Sequence, residues 1–158
     1  MGEVASASER VRGIPHEPLV MGNDMRGLKP PAPAAWAVRN DWFWQAHDVN
    51  AGPQSLDLAP RDAALLAELE LLFCVGAWAS VVIVAWTLVE ATLRRARQGD
   101  EAPASDVDWL RERRNALVHL SHDDADMPDE PALEEMAQGA VRVAFKTLFA
   151  QAWVGSRR

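Results

Sequence analysis

The chain has a single cysteine, Cys74, in 158 residues. That excludes an intramolecular disulfide framework and any zinc site built on several cysteines, and it fits a reducing compartment. Basic charge is also scarce: 16 Lys and Arg against 23 Asp and Glu leave a formal charge of −7. A protein that coats nucleic acid with its whole surface is thereby excluded, while one local basic patch remains open. No segment alternates apolar and polar residues for long, so strands are not expected, and there is no internal repeat. The N-terminal region lacks the apolar stretch behind a basic start that a secretory signal needs, so the expected location is cytoplasmic. What is present is the composition of a globular protein, 49% hydrophobic and 25% charged, at a size suited to one domain with one core.

Glycine and proline punctuate residues 1–35 from Gly2 to Pro33. No hydrophobic periodicity survives there, which predicts a flexible N-terminal arm ahead of a helical domain at 36–158. Trp36, Trp42, Phe43 and Trp44 follow closely. They read either as a short helix or ordered loop laid over a core, or as an exposed platform for stacking bases. Pro60 to about Gln98 carries a helical pattern that Gly99 ends, predicting one long central helix. Within it, Leu71–Val89 runs nineteen residues without a charge, with Arg94, Arg95 and Arg97 behind it. Such a run is either a helix buried on all sides or a single membrane span obeying the positive-inside rule. The dilution by Gly, Ser, Thr, Cys and Ala favours the buried helix, and no stable membrane association is expected.

A connector at 99–105 leads to a second helix over 106–120, capped by Ser105 or Asp106. The acidic loop SHDDADMPDEP separates it from a third helix at roughly 131–153. There Leu133, Met136, Ala140, Val143, Ala144, Leu148 and Trp153 keep helical spacing. The fold class is therefore all-α, a small bundle with one long central helix and two or three further helices.

The second helix carries the most informative segment, Arg111-Glu112-Arg113-Arg114-Asn115-Ala116-Leu117-Val118-His119. A histidine titrating near neutrality can take the proton of a ribose 2′-hydroxyl or give one to a leaving 5′-oxygen. Arginine keeps its proton and offers a planar fork to phosphate oxygens. Asn115 can orient His119 or bond the phosphate. At 100° per residue, Asn115 and His119 share a face, while Arg114 lies about 140° from His119. One helix therefore does not aim Arg114 and His119 at one phosphate, whereas two copies across a twofold axis can. The other reading is a solvated face: Arg111, Arg113 and Arg114 pair with Glu112 and Asp108, and His119 gains from the helix dipole.

The string Arg114-Asn115-(three residues)-His119 resembles the signature of the HEPN superfamily, an Arg, a polar residue and a His at this spacing. The spacing alone is also met by Arg10 with His16 and by Arg113 with His119, so context carries the resemblance. That context is an amphipathic helix preceded by Ala85–Arg95 (AWTLVEATLRR), which is similar to the long helix ahead of the motif, with Glu90 at its acidic position. The likeness extends over roughly residues 60–153. It implies a homodimer with a composite site and a metal-independent endoribonuclease that leaves a 2′,3′-cyclic phosphate on single-stranded RNA. Arg114, Asn115 and His119 are then catalytic, Arg111 and Arg113 contact RNA, and Glu90 is a supporting candidate. No metal or cofactor is implied. The resemblance also implies a toxin or phage-defence role, with an antitoxin protein as candidate partner. The alternative is a catalytically silent dimer that binds RNA, a nucleotide or a partner protein. Ser121 stands where one subgroup has Tyr, which argues against that subgroup.

Two further readings complete the sequence. His119 and His122 with Asp123, Asp124 and Asp126 have the residue types of a metal site, but their setting favours a solvated acidic loop. Cys74, among apolar residues, reads as inert packing.

Overall fold

A computed structural model describes residues 30–51, 58–96, 104–119 and 128–155. The described residues form five helices and no strand: α1 (Pro33–Ala51), α2 (Pro60–Val75), α3 (Trp78–Ala96), α4 (Ala104–Val118) and α5 (Glu130–Gly155). This is the small all-helical bundle expected. Residues 1–29 of the anticipated arm lie outside the described residues, and Pro33 already opens α1.

The bundle is built around α3 and α5. On α3 the buried positions are Trp78, Val81, Val82, Ala85, Leu88, Val89 and Thr92, the i, i+3, i+4, i+7 rhythm of a helix with one apolar face. On α5 they are Ala137, Ala140, Val141, Val143, Ala144, Phe145, Thr147, Leu148 and Phe149, a wider band than one face, because α5 packs against α1, α3 and α4. Two hydroxyls buried among them are satisfied locally: Thr92 donates to the Leu88 carbonyl and Thr147 to that of Val143, each at 2.8 Å. Asp129 caps α5, its Oδ1 accepting from the Ala132 N–H at 3.0 Å, which satisfies one of the free donors at the helix start.

The single long helix expected from Pro60 to Gln98 is in fact two. Gly76 takes the left-handed conformation, with φ 81°. Its N–H bonds the Phe73 carbonyl, and the Ala77 N–H bonds that of Leu72, the paired bonds of a Schellman motif. Arg39 of α1 reinforces the break by donating to the Cys74 carbonyl at 3.3 Å and lying 4.6 Å from the centre of the Trp78 ring. The chain then reverses, and α2 and α3 run as an antiparallel hairpin. The uncharged run Leu71–Val89 is thus shared between a helix end and a helix start. No helix among the described residues is long and apolar enough to cross a membrane.

The tryptophan-rich segment is a full helix rather than a short helix or loop, and its aromatics divide between core and surface. Phe43 is fully buried and meets Phe145 of α5 edge-on, with ring centres 5.2 Å apart. Burying a side chain of this size contributes about 1.5–3 kcal/mol. Trp42 stacks on Phe73 of α2 at 4.9 Å. Trp44 remains 41% exposed and donates its indole N–H to Glu70 at 3.0 Å. α1 therefore joins α2 to α5, with apolar contacts to both.

Candidate active site on helix α4

α4 begins at Ala104, two residues before the expected start, so Ser105 and Asp106 lie inside its first turn rather than at its cap. Val107, Leu110 and Leu117 pack against the core, with Leu110 fully buried. Arg114 falls at i+4 from Leu110, on the same inward stripe. Trp109 lies against Gly139 of α5, where an added Cβ would stand 2.7 Å from its ring. Lys146 of α5 pairs with Asp106 at 3.0 Å.

Arg114 is accordingly half-buried. Its Nη1 donates to the Asn115 Oδ1 at 2.8 Å, and its Nε is buried without a partner among the described residues. His119 is exposed one turn beyond Asn115, and its backbone N–H bonds the Asn115 carbonyl at 3.0 Å. Asn115 thus contacts both expected site residues, Arg114 through its side chain and His119 through its backbone. No hydrogen bond or ion pair joins the Arg114 and His119 side chains among the described residues. By helix arithmetic the two positions stand about 140° apart over five residues.

The remaining candidates are distributed around this triplet. Arg111 pairs with Asp108 at 2.9 Å, as the solvated-face reading expects. Arg113 lies 5.9 Å from the Trp109 ring centre, a loose cation–π contact. Glu90 of α3 accepts from Arg94 at 2.8 Å and touches neither Arg114 nor His119 through a hydrogen bond or ion pair. Glu90 and Arg111 do share a feature: both line a cleft of about 370 Å³ between α3 and α4, together with Trp86, Leu93, Arg94 and Val107. Arg94 and Trp86 were absent from the sequence-derived site. The Glu90–Arg94 spacing was a signal for the pair, but the cleft requires knowing which helices adjoin.

Of the candidate metal ligands, His122, Asp123, Asp124 and Asp126 lie outside the described residues, as does Ser121. Among the described residues no group of three or more His, Cys, Asp or Glu is placed to hold a metal ion. Cys74 is fully buried. Burial pushes its thiol pKa up, against the lowering effect of the hydrogen bond from Asn40, so the reactive thiolate is disfavoured.

Comparisons with family models, with curated proteins and with solved structures found no match.

Proposed function

We propose that the chain is a metal-independent endoribonuclease of HEPN type, acting on single-stranded RNA through His119, Asn115 and Arg114. The observation that supports this reading is the exposed imidazole of His119 one turn from an Asn115 held by the Arg114 guanidinium. In the proposed reaction His119 takes the proton of the ribose 2′-hydroxyl. The 2′-oxygen attacks phosphorus, the bond to the 5′-oxygen breaks, and the leaving 5′-oxygen takes a proton from water, while the His119 imidazolium later returns its proton to solvent. The products are a 2′,3′-cyclic phosphate and a 5′-hydroxyl. Arg114, about 140° around the helix axis from His119, serves the site of a second copy, so the active form is a homodimer. A toxin or phage-defence role, with an antitoxin protein as partner, accompanies this reading.

The test is cleavage of single-stranded RNA by the purified chain in the presence of a chelator. His119→Ala, folded and assembled as the wild type, is expected to lose about 10²–10⁴-fold in rate, the usual contribution of a positioned acid or base. DNA should remain intact, since it lacks the internal nucleophile. The second reading, a silent dimer that binds RNA, a nucleotide or a partner protein, draws on the inward position of Arg114. It prevails when folded wild-type protein binds without cutting.

A further inference from the structure

The cleft between α3 and α4 has no part in the proton transfers just described, yet its lining is chemically specific. Two guanidiniums face it from opposite walls, Arg94 on α3 and Arg111 on α4, and Trp86 supplies an aromatic surface backed by the core. Each arginine is held by a carboxylate on its own helix, Arg94 Nη2 by Glu90 at 2.8 Å and Arg111 Nη2 by Asp108 at 2.9 Å. Both pairs are on the surface and leave most of the five N–H donors of each guanidinium free. The pairs orient the forks without consuming them. The volume, about 370 Å³, is at the lower end of the range for small-ligand pockets and suits one nucleotide unit.

Position adds the second half of the argument. Arg111 and Asn115 fall at i and i+4 on α4, and His119 follows directly after the helix ends at Val118, so this side of α4 leads from the cleft wall toward the exposed imidazole. In a chain of net charge −7, α3 and α4 together carry five arginines against four carboxylates. The excess is small, and Glu90 lines the cleft beside the two arginines, so an anion is drawn here by the two guanidinium forks rather than by net charge.

We propose that the α3–α4 cleft is a nucleotide subsite for single-stranded RNA, with one base against Trp86 and its phosphate across Arg94 and Arg111. The inference rests on the reading of the chain as an RNA-directed protein, and it names the groove that carries the strand to His119. Aromatic stacking with paired guanidiniums accepts a base and a phosphate at once. An acidic peptide offers only the charge.

The experiment uses the full chain carrying His119→Ala and a fluorescein-labelled RNA hexamer, with binding followed by anisotropy in chelator at low salt. Arg94→Ala and Arg111→Ala are each expected to weaken binding about tenfold, and Trp86→Leu by a similar factor. Arg61→Ala, an exposed arginine on α2 outside the cleft, should leave affinity unchanged. The two arginine variants stand even if Trp86→Leu fails to fold, because both side chains are exposed. Affinity indifferent to Arg94 and Arg111 overturns the subsite and leaves the nuclease reading intact. Wild-type protein that never cuts RNA, but binds it through these two arginines, keeps the subsite and removes the nuclease. Equal competition by polyglutamate reduces the effect to charge and overturns the subsite. A nucleoside monophosphate that binds as tightly as the hexamer reassigns the cleft to a free nucleotide, again overturning it.

Discussion

Arg95, in the last turn of α3, pairs with Asp62 in the first turn of α2 and locks the open end of the hairpin. Asp62 is buried while Arg95 is 48% exposed, and the second carboxylate oxygen of Asp62 has no partner among the described residues. The carboxylate also faces the positive end of the α2 dipole.

Removing the arginine leaves a buried carboxylate without its counter-charge. Arg95→Met is expected to lower stability by about 2 kcal/mol, less than the 3–5 kcal/mol typical of fully buried pairs because Arg95 is half in solvent. Adding Asp62→Asn to that variant should restore part of the loss. Urea midpoints check both, and an unchanged midpoint for Arg95→Met would contradict the account.

The turn at the other end of the hairpin depends on Gly76. An alanine there must adopt a left-handed conformation, at a cost of about 1–2 kcal/mol. Its Cβ would also stand 2.7 Å from Arg39 Nη1. Gly76→Ala should therefore destabilise by more than the backbone cost alone, and Gly76→Ala in an Arg39→Ala background by little more than that cost. Thermal unfolding of the three variants separates the two contributions.

A composite site makes a prediction about mixtures. Arg114→Lys keeps the charge but not the fork and should be inactive, as should His119→Ala. Mixed and re-equilibrated, the two inactive chains should regain about a quarter of wild-type cleavage, since half of random dimers are mixed and each mixed dimer holds one complete site. Light scattering should report a dimer at micromolar concentration. A mixture that stays inert while exchanging subunits argues for sites made within one chain.

Cys74 gives a pH signature. Its pKa is raised from an ordinary 9.0, first by burial, so the folded chain holds this proton more tightly than the unfolded one. The resulting stability is fully present below pH 9 and is lost as pH rises through the folded value. Cys74→Ala should flatten that alkaline decline at some cost in packing. The thiol should resist labelling at neutral pH until denaturant is added.

The parts of the fold legible in the sequence are those that one helix decides alone. The spacing of Leu133, Met136, Ala140, Ala144 and Leu148 marks α5, and Leu110 and Leu117 mark the inner face of α4. The break at Gly76 was written as a lone glycine in an apolar run. Its decisive support comes from Arg39, 35 residues before the carbonyl it bonds, and no local pattern reveals such a partner. The inward placement of Arg114 follows from its register with Leu110, whereas its bond to Asn115 depends on a side chain folding back along the helix. The α3–α4 cleft depends on adjacency between two helices and was invisible for that reason.

The seating of α1 against both α2 and α5 governs the order in which this molecule can become whole. Phe43 meets Phe145, about a hundred positions later in the chain, at 5.2 Å. Until α5 has been synthesised, α1 has only part of its apolar contact surface, and the faces of α3 that receive α5 are open to water. Closing a loop of that span is entropically slow before its contacts reward it. The core therefore completes late, with the last helix acting as the keystone, and a nascent chain arrested before α5 exposes the surfaces that chaperones recognise.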